Sequence, residues 1–324
     1  MIQPNKSVKL IVSDVDETIA GVYMPASVRI IDLMNKLLRL NISIMLVSGG
    51  GLESIEDRVV NRIDKSLRWR LAVAHCNAIE MWGYDKQGKR KDVPYYSLYN
   101  ESVTDKEDKV WKMYVQDVIE EFNLDCHKTM PVNDFKEITN HDPHAIMFDD
   151  RGPQITLELV NSFSLTSEEK DLLSPAVKSL LQEGADLRVP IIDKLNFLFK
   201  EHDLPVHAYK GGEFAINIGI ESVSKGTALR YVLKNFSVLK ELGIDSEVID
   251  YENSVEIWGD KFSQESGKND WCMSLELPKD VRSISFREEN ALEFPKGYNI
   301  CIWDGNYKLQ NGTEEYLESL VIEL

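Results

Sequence analysis

Short apolar runs and amphipathic stretches alternate from the start of the chain. Lys9–Ser13 is an apolar run with branched side chains and predicts a buried strand. From Pro25 to Leu40 the apolar residues Val28, Ile31, Leu33, Met34, Leu37 and Leu38 fall at helical spacing, and the proline suits a first helical turn. Ile42–Val47 is a second apolar run, broken by Ser48-Gly49-Gly50-Gly51, and Leu52–Ile63 returns to helical spacing. Strand, helix, strand, helix with apolar strands predicts a parallel sheet covered on both faces.

The middle of the chain reads differently. Tyr84–Asp92 is polar and predicts a hairpin tip or linker. Asp105–Phe122 predicts an amphipathic helix, with Trp111, Met113, Tyr114 and Phe122 as core residues. Ala145–Phe148 and Gln154–Phe163 predict strands joined by a turn at Asp150-Arg151-Gly152-Pro153. Ser164–Glu183, capped at Ser167 and broken near Ser174-Pro175, and Pro190–Glu201 predict helices, while Val206–Tyr209 and Phe214–Ile218 predict strands. From Ser224 the first pattern resumes: a helix over Lys225–Phe236, strands at Val255–Trp258, Val281–Phe286 and Asn299–Trp303, and a last helix over Thr313–Leu324. The fold class is therefore α/β, a Rossmann-like parallel-sheet core at 1–82 and 208–324 with an inserted α+β module at 83–207.

Composition narrows the function. The chain has 324 residues, 43% hydrophobic and 28% charged, ordinary for globular protein. Its 37 Lys and Arg against 54 Asp and Glu give a formal charge of −17, which repels nucleic acid and anionic lipid, so neither is an expected partner. An anionic substrate then needs a local cation, a metal or a lysine. Cys76, Cys126, Cys272 and Cys301 are far apart, form no metal pattern, and read as reduced. With no secretory leader pattern and no run of about 18 apolar residues, the cytoplasm is the expected location. No feature sets an oligomeric state.

The chemistry begins at Asp14-Val15-Asp16-Glu17-Thr18, directly after the first apolar run. Catalytic sites of open parallel sheets lie at the carboxyl ends of strands. There one carboxylate can attack phosphorus and a second can protonate the leaving oxygen and then activate water. A divalent cation would offset the repulsion between carboxylate and phosphate. A strand-end turn with solvated acids gives the same pattern, so further elements decide. Ser48 follows the second strand, where its hydroxyl and the Gly49–Gly51 amides can cradle a phosphate. Lys225, in Ser224-Lys225-Gly226-Thr227, starts a helix and is a candidate phosphate clamp. Trp258-Gly259-Asp260 ends a strand and is followed by Asn269-Asp270, candidate oxygen ligands.

In this order, the set resembles the haloacid dehalogenase-like hydrolase superfamily over Leu10 to Asp270. The long insert lies between Ser48 and Lys225, where the branch with an α+β cap carries it. The fragments Ala74-His75-Cys76-Asn77-Ala78, Lys210–Ile218 and Ser224–Leu229 are similar to the sugar phosphatase and phosphomannomutase members of that branch. The resemblance implies a phosphoric monoester hydrolase using Mg2+ and a small phosphorylated metabolite, a sugar phosphate by expectation. Asp14 would be nucleophile and metal ligand, and Asp16 acid/base and metal ligand through its carbonyl. Thr18, Ser48 and Gly49 would bind the phosphoryl group, and Lys225 would neutralise it. Asp260 would ligate the metal, with Asn269 and Asp270 in support.

The chain departs from that branch in two places. Glu17 stands where glycine is usual and adds charge near the mouth of the site, and Phe262–Ser266 lengthens the acidic loop, so Glu265, Asn269 and Asp270 all compete to face the metal. In the insert, His141, His144, Arg151 and Lys210 are the polar candidates for substrate choice, Arg151 reading better as a turn residue. His141 and His144 lie on a proline-containing loop with no cysteine partner, a poor metal pattern. Two rival functions remain: a phosphohexomutase that returns the phosphoryl group to a second sugar hydroxyl, and a non-catalytic regulatory protein that binds a phosphometabolite.

Overall fold

The computed structural model describes residues 2–162, 165–173, 175–180, 186–221, 223–245, 250–267 and 269–324. The chain divides into two compact units, Met1–Ser97 with Val223–Leu324, and Leu98–Ser222. Both divisions fall later in the chain than the expected 82/83 and 207/208. The strands run β1 Leu10–Ser13, β2 Ser43–Val47, β3 Leu71–His75, β4 Glu80–Gly83, β5 Tyr96–Ser97, β6 Asp125–His127, β7 Ala145–Asp150, β8 Gln154–Glu158, β9 His207–Gly211, β10 Ala215–Gly219, β11 Val255–Gly259, β12 Arg282–Ser285 and β13 Ile300–Ile302. The first division moves because β4 and β5 form a hairpin that pairs antiparallel onto β3, keeping Tyr84–Asp92 in the first unit. The second moves because β10 pairs with β8 and β9 pairs with β10.

The first unit holds an eight-stranded sheet ordered β13-β12-β11-β1-β2-β3-β4-β5, parallel from β13 to β3. Every residue of β1, β2, β3 and β11 is buried, as continuous apolar parallel strands require. The chain builds outward from β1 in one direction through β2 and β3 and later in the other through β11 to β13, so a topological switch point lies at β1. The helix Val28–Arg39 starts after Pro25 because Ser27 caps it, accepting from Ile30 N at 3.0 Å. It buries Ile30, Leu33, Met34 and Leu37 and packs against the helix Leu309–Glu323. Around the latter, Trp258, Phe286, Trp303 and Tyr316 form a buried aromatic cluster with centroids 5.3 to 6.2 Å apart. Each such side chain contributes about 1.5–3 kcal/mol by leaving water.

Several expected elements end early. The helix Leu52–Arg58 gives way to a single 3-10 turn at Val60–Arg62, and the helix Gly226–Lys234 is followed by a separate one, Phe236–Glu241. The two chain crossings of the first unit, near Ser97 and Val223, are tied together. Tyr231 Oη donates to the Tyr95 carbonyl at 2.6 Å, and the rings of Tyr96 and Tyr231 lie 4.5 Å apart.

The second unit has a five-stranded sheet ordered β6-β7-β8-β10-β9, antiparallel except for β6 with β7. The helix Asp105–Glu121 begins with a capping box between Thr104 and Glu107. Trp111 and Phe122 are buried as expected, but Met113 is 50% exposed, on the solvent side of the helix. Arg151 sits at the β7–β8 turn, its Nε donating to Asp149 Oδ2 at 2.6 Å. Thr156 and Gln154 both donate to Asn217 Oδ1, at 2.9 and 3.1 Å. The expected helix limits Ser164 and Glu183, the strand limit Phe163 and the break at Ser174 lie outside the described residues. Between them are short helices at Ser167–Leu172 and Pro175–Leu180.

Candidate active site

The carboxyl ends of β1, β2 and β11 bring Asp14, Ser48 and Asp260 onto one edge of the first unit's sheet. Backbone pairing fixes them there, with Asp14 N donating to the Trp258 carbonyl at 2.9 Å and Ser48 N to the Ala74 carbonyl at 2.9 Å. Lys225 enters from the start of Gly226–Lys234. That helix approaches closely enough that a Cβ on Gly226 would lie 2.5 Å from the Cys272 carbonyl, so glycine permits the packing. Lys225 Nζ donates to Asp14 Oδ1 at 2.6 Å and to Asp270 Oδ1 at 2.7 Å, all three side chains being buried.

Within the lengthened acidic loop, Asp270 is the residue whose carboxylate reaches Lys225 and lies beside Asp14 and Asp260. Its Oδ2 accepts from the amides of Asp260 and Lys261 at 2.9 and 3.0 Å. A Cβ on Gly259 would lie 2.4 Å from that oxygen, so the fold-back needs glycine. Glu265 is exposed, and Asn269 is part-buried, its amide donating to the Gly267 carbonyl at 3.0 Å.

Asp14, Asp260 and Asp270 place one oxygen each within 4.8 Å of one another. Burial raises the Asp14 carboxyl well above the usual range. Lys225 opposes that, while Asp270, Asp260 and Asp16 add to it. Burial and then Asp270 push Asp260 up to about 6, against Lys261, Arg287 and Lys225. Burial works to lower the Lys225 ammonium, but Asp14 and Asp270 more than offset it, so its pKa is raised and it stays charged. Lys225 serves Asp14 and Asp270, and Arg287 holds one oxygen of Asp260, which leaves carboxylate oxygens of the group facing one another without a cation between them. A hard divalent cation that takes oxygen ligands suits that donor set, and Mg2+ fits it. Both oxygens of Asp270 are already engaged. Among the described residues, Asp14 Oδ2 and Asp260 Oδ1 are the carboxylate oxygens of the group without a hydrogen-bond partner.

On the other side of Asp14, Asp16 Oδ2 accepts from Ser48 Oγ at 3.2 Å, and Ser48 Oγ in turn accepts from Gly50 N at 3.0 Å. Gly49 lies beside Asn77, whose Oδ1 would be 3.3 Å from a Cβ there. Thr18 Oγ1 is buried with no hydrogen-bond partner among the described residues. Glu17 adopts left-handed backbone, φ 61°, which explains why glycine suits that position.

Three features escaped the sequence reading. Arg58, buried at the end of its helix, donates to Asp16 Oδ1 at 2.6 Å and to the carbonyls of Gly21 and Met24 at 2.8 Å each. Arg287, just after β12, donates through Nε to Asp260 Oδ2 at 2.9 Å and also binds Glu17. Cys76, Asn77 and Ala78 are three consecutive left-handed residues at the end of β3, with φ 50°, 56° and 70°. Only the last had a signal, a polar break after an apolar run.

No family model matches this chain. No curated protein matches it either. Solved structures do. The C-terminal domain of Candida albicans trehalose-6-phosphate phosphatase aligns over 98% of this chain and 94% of its own, at 12% identity and a TM-score of 0.56. Aspergillus fumigatus trehalose-6-phosphate phosphatase aligns over 98% and 93% at 10% identity, TM-score 0.46. An IMP-bound mutant of Plasmodium falciparum IMP-nucleotidase aligns over 98% and 68% at 12% identity, TM-score 0.48. The first likeness shows the fold alone: an α/β protein whose Rossmann-like parallel-sheet core carries an inserted unit.

Proposed function

We propose that this chain is a Mg2+-dependent phosphatase of small phosphate monoesters, a sugar phosphate by preference, acting through an aspartyl phosphate on Asp14. The observation that carries this reading is the Lys225 ammonium held between Asp14 and Asp270 at 2.6 and 2.7 Å, with Asp260 at the same sheet edge. Asp14 attacks phosphorus while Lys225 neutralises charge on the carboxylate and the arriving phosphoryl group. Thr18 and Ser48 hydroxyls and the Gly49 amide orient phosphoryl oxygens, and the partnerless Thr18 Oγ1 gains a hydrogen bond in doing so. Asp16 gives its proton to the leaving oxygen, then takes one from the water that cleaves the aspartyl phosphate and restores Asp14. Asp14, Asp260 and the Asp16 carbonyl would hold Mg2+, with Asn269 and Asp270 supporting them; the ion supplies charge for the phosphoryl transfer. The inserted unit is assigned the choice of substrate.

The likeness to the C-terminal domain of Candida albicans trehalose-6-phosphate phosphatase makes trehalose 6-phosphate a reasonable member of the first substrate panel. The test is phosphate release from phosphorylated sugars and nucleotides with and without Mg2+, for wild type and Asp14→Asn. Release that needs both Mg2+ and Asp14 is expected. A phosphorylated isomer formed in place of free phosphate would move the assignment to a phosphohexomutase. Neither product, from folded protein with Mg2+ present, would overturn the enzyme reading in favour of a binding protein.

A further inference from the structure

Glu17 and Arg287 are not used by the mechanism above, yet both reach its acidic cluster. Arg287 lies two residues beyond β12; its Nε donates to Asp260 Oδ2 at 2.9 Å, and its Nη2 stands 2.7 Å from the same oxygen as an ion pair. The same Nη2 is held by Glu17 Oε2. Lys261 Nζ stands 3.9 Å from both Glu17 Oε2 and Asp260 Oδ2, so the oxygen that Arg287 holds is enclosed by cations. Asp260 Oδ1 has no hydrogen-bond partner among the described residues. The left-handed backbone of Glu17, φ 61°, is a conformation that disfavours a side chain, and the side chain found there is the one that anchors Arg287.

We propose that Arg287, anchored by Glu17, selects magnesium over calcium by removing one oxygen of Asp260 from the ligand set. The proposal rests on the assignment of a divalent cation to Asp14 and Asp260. Calcium takes six to eight oxygens and readily accepts a carboxylate through both, whereas magnesium holds near-octahedral geometry, keeps several waters and takes carboxylates through one oxygen. With Oδ2 bound to the guanidinium, Asp260 offers Oδ1 alone. Chelation through both oxygens would have to displace a guanidinium fixed from two sides, a cost that falls on calcium and not on magnesium. Arg287 is thus a positioning residue, acting through Asp260.

If Arg287 served only as a nearby positive charge, its removal would tighten both ions alike and leave their ratio unchanged. The ratio of affinities is therefore the readout. The experiment is calorimetric titration of the full-length, metal-stripped protein with Mg2+ and separately with Ca2+, for wild type, Arg287→Met and Glu17→Gly. We expect the calcium-to-magnesium affinity ratio to rise on the order of tenfold in Arg287→Met, and by less in Glu17→Gly, which loosens the anchor only. Glycine suits the left-handed position, so Glu17→Gly gives a folded protein that decides the matter if Arg287→Met does not fold. Wild-type ratios in the folded variants would overturn the proposal and leave the phosphatase assignment standing. A wild-type protein that binds neither ion would overturn both.

Discussion

Lys225 and Asp14 meet at 2.6 Å although 211 residues of chain separate them. The ammonium serves two carboxylates at once, and neither is open to solvent. Removing it leaves both buried without their cation. Lys225→Met is expected to destabilise the protein by about 3–5 kcal/mol at pH 7, the cost of breaking a buried pair from one side. The loss should be smaller at pH 5 than at pH 7, because a lower pH favours proton uptake by the Asp14 carboxyl, which burial raises, in place of the ammonium. Urea unfolding at both pH values in EDTA measures this, and an equal loss at the two would contradict it. Phosphate release should fall at least about 100-fold.

The pKa of Asp260 sets a sign for its effect on stability. It is raised to about 6 in the folded state by burial and by Asp270, from an ordinary value of 3.8. Between those values the unfolded chain ionises first, so the contribution of this group to stability is fully present below about pH 4 and is lost as pH rises through 6. Without metal, the difference in stability between Asp260→Asn and wild type should therefore move in favour of the variant from pH 4 to pH 6, then level off. A difference that stays constant across that window would refute the assignment. Divalent-cation binding should strengthen over the same window as the competing proton leaves.

Metal should stabilise the folded chain by an amount that grows with the logarithm of its concentration above the dissociation constant. Mg2+ at about 100 times its dissociation constant adds about 2.7 kcal/mol to the stability of a one-site protein. We expect a clear rise in melting temperature for wild type, little or none for Asp260→Asn, and full reversal by EDTA. An equal rise in both proteins would place the binding elsewhere.

Arg58 should matter most for reluctant leaving groups. Its guanidinium holds Asp16 Oδ1 at 2.6 Å while Ser48 holds the other oxygen at 3.2 Å, fixing the carboxyl proposed to protonate the leaving oxygen. Arg58→Ala is expected to slow hydrolysis of a sugar phosphate by about 100-fold and of p-nitrophenyl phosphate, whose leaving group needs little protonation, by much less. Parallel losses on the two substrates would assign Arg58 to the support of the Gly21–Met24 loop instead.

The parts of this site that the sequence displays are those tied to local pattern. Asp14, Ser48 and Asp260 each end an apolar run, and Lys225 opens an amphipathic helix, so periodicity made them candidates while the order of the whole set and its family resemblance supplied their roles. Asp270 was visible only as one of several polar residues in its loop, because its role depends on a fold-back that Gly259 permits. Arg58 and Arg287 left no trace. Each lies in a charged segment, and its partner was brought to it by the parallel sheet rather than by neighbouring sequence. The short strands β4, β5 and β6 were unreadable for a related reason: two to four residues are too few to show alternation. Glu17 was legible as an anomaly, and its left-handed backbone supplies the cause.

The bond from Tyr231 to the Tyr95 carbonyl bears on how such a protein can diversify. It joins the outgoing and returning chain within the first unit, with the rings of Tyr96 and Tyr231 packed beside it. The perimeter of the eight-stranded sheet is thereby closed at these two crossings by contacts within the first unit. The inserted segment can drift across generations of sequence while the eight-stranded sheet keeps its form, because a tyrosine hydroxyl ties its two crossings together.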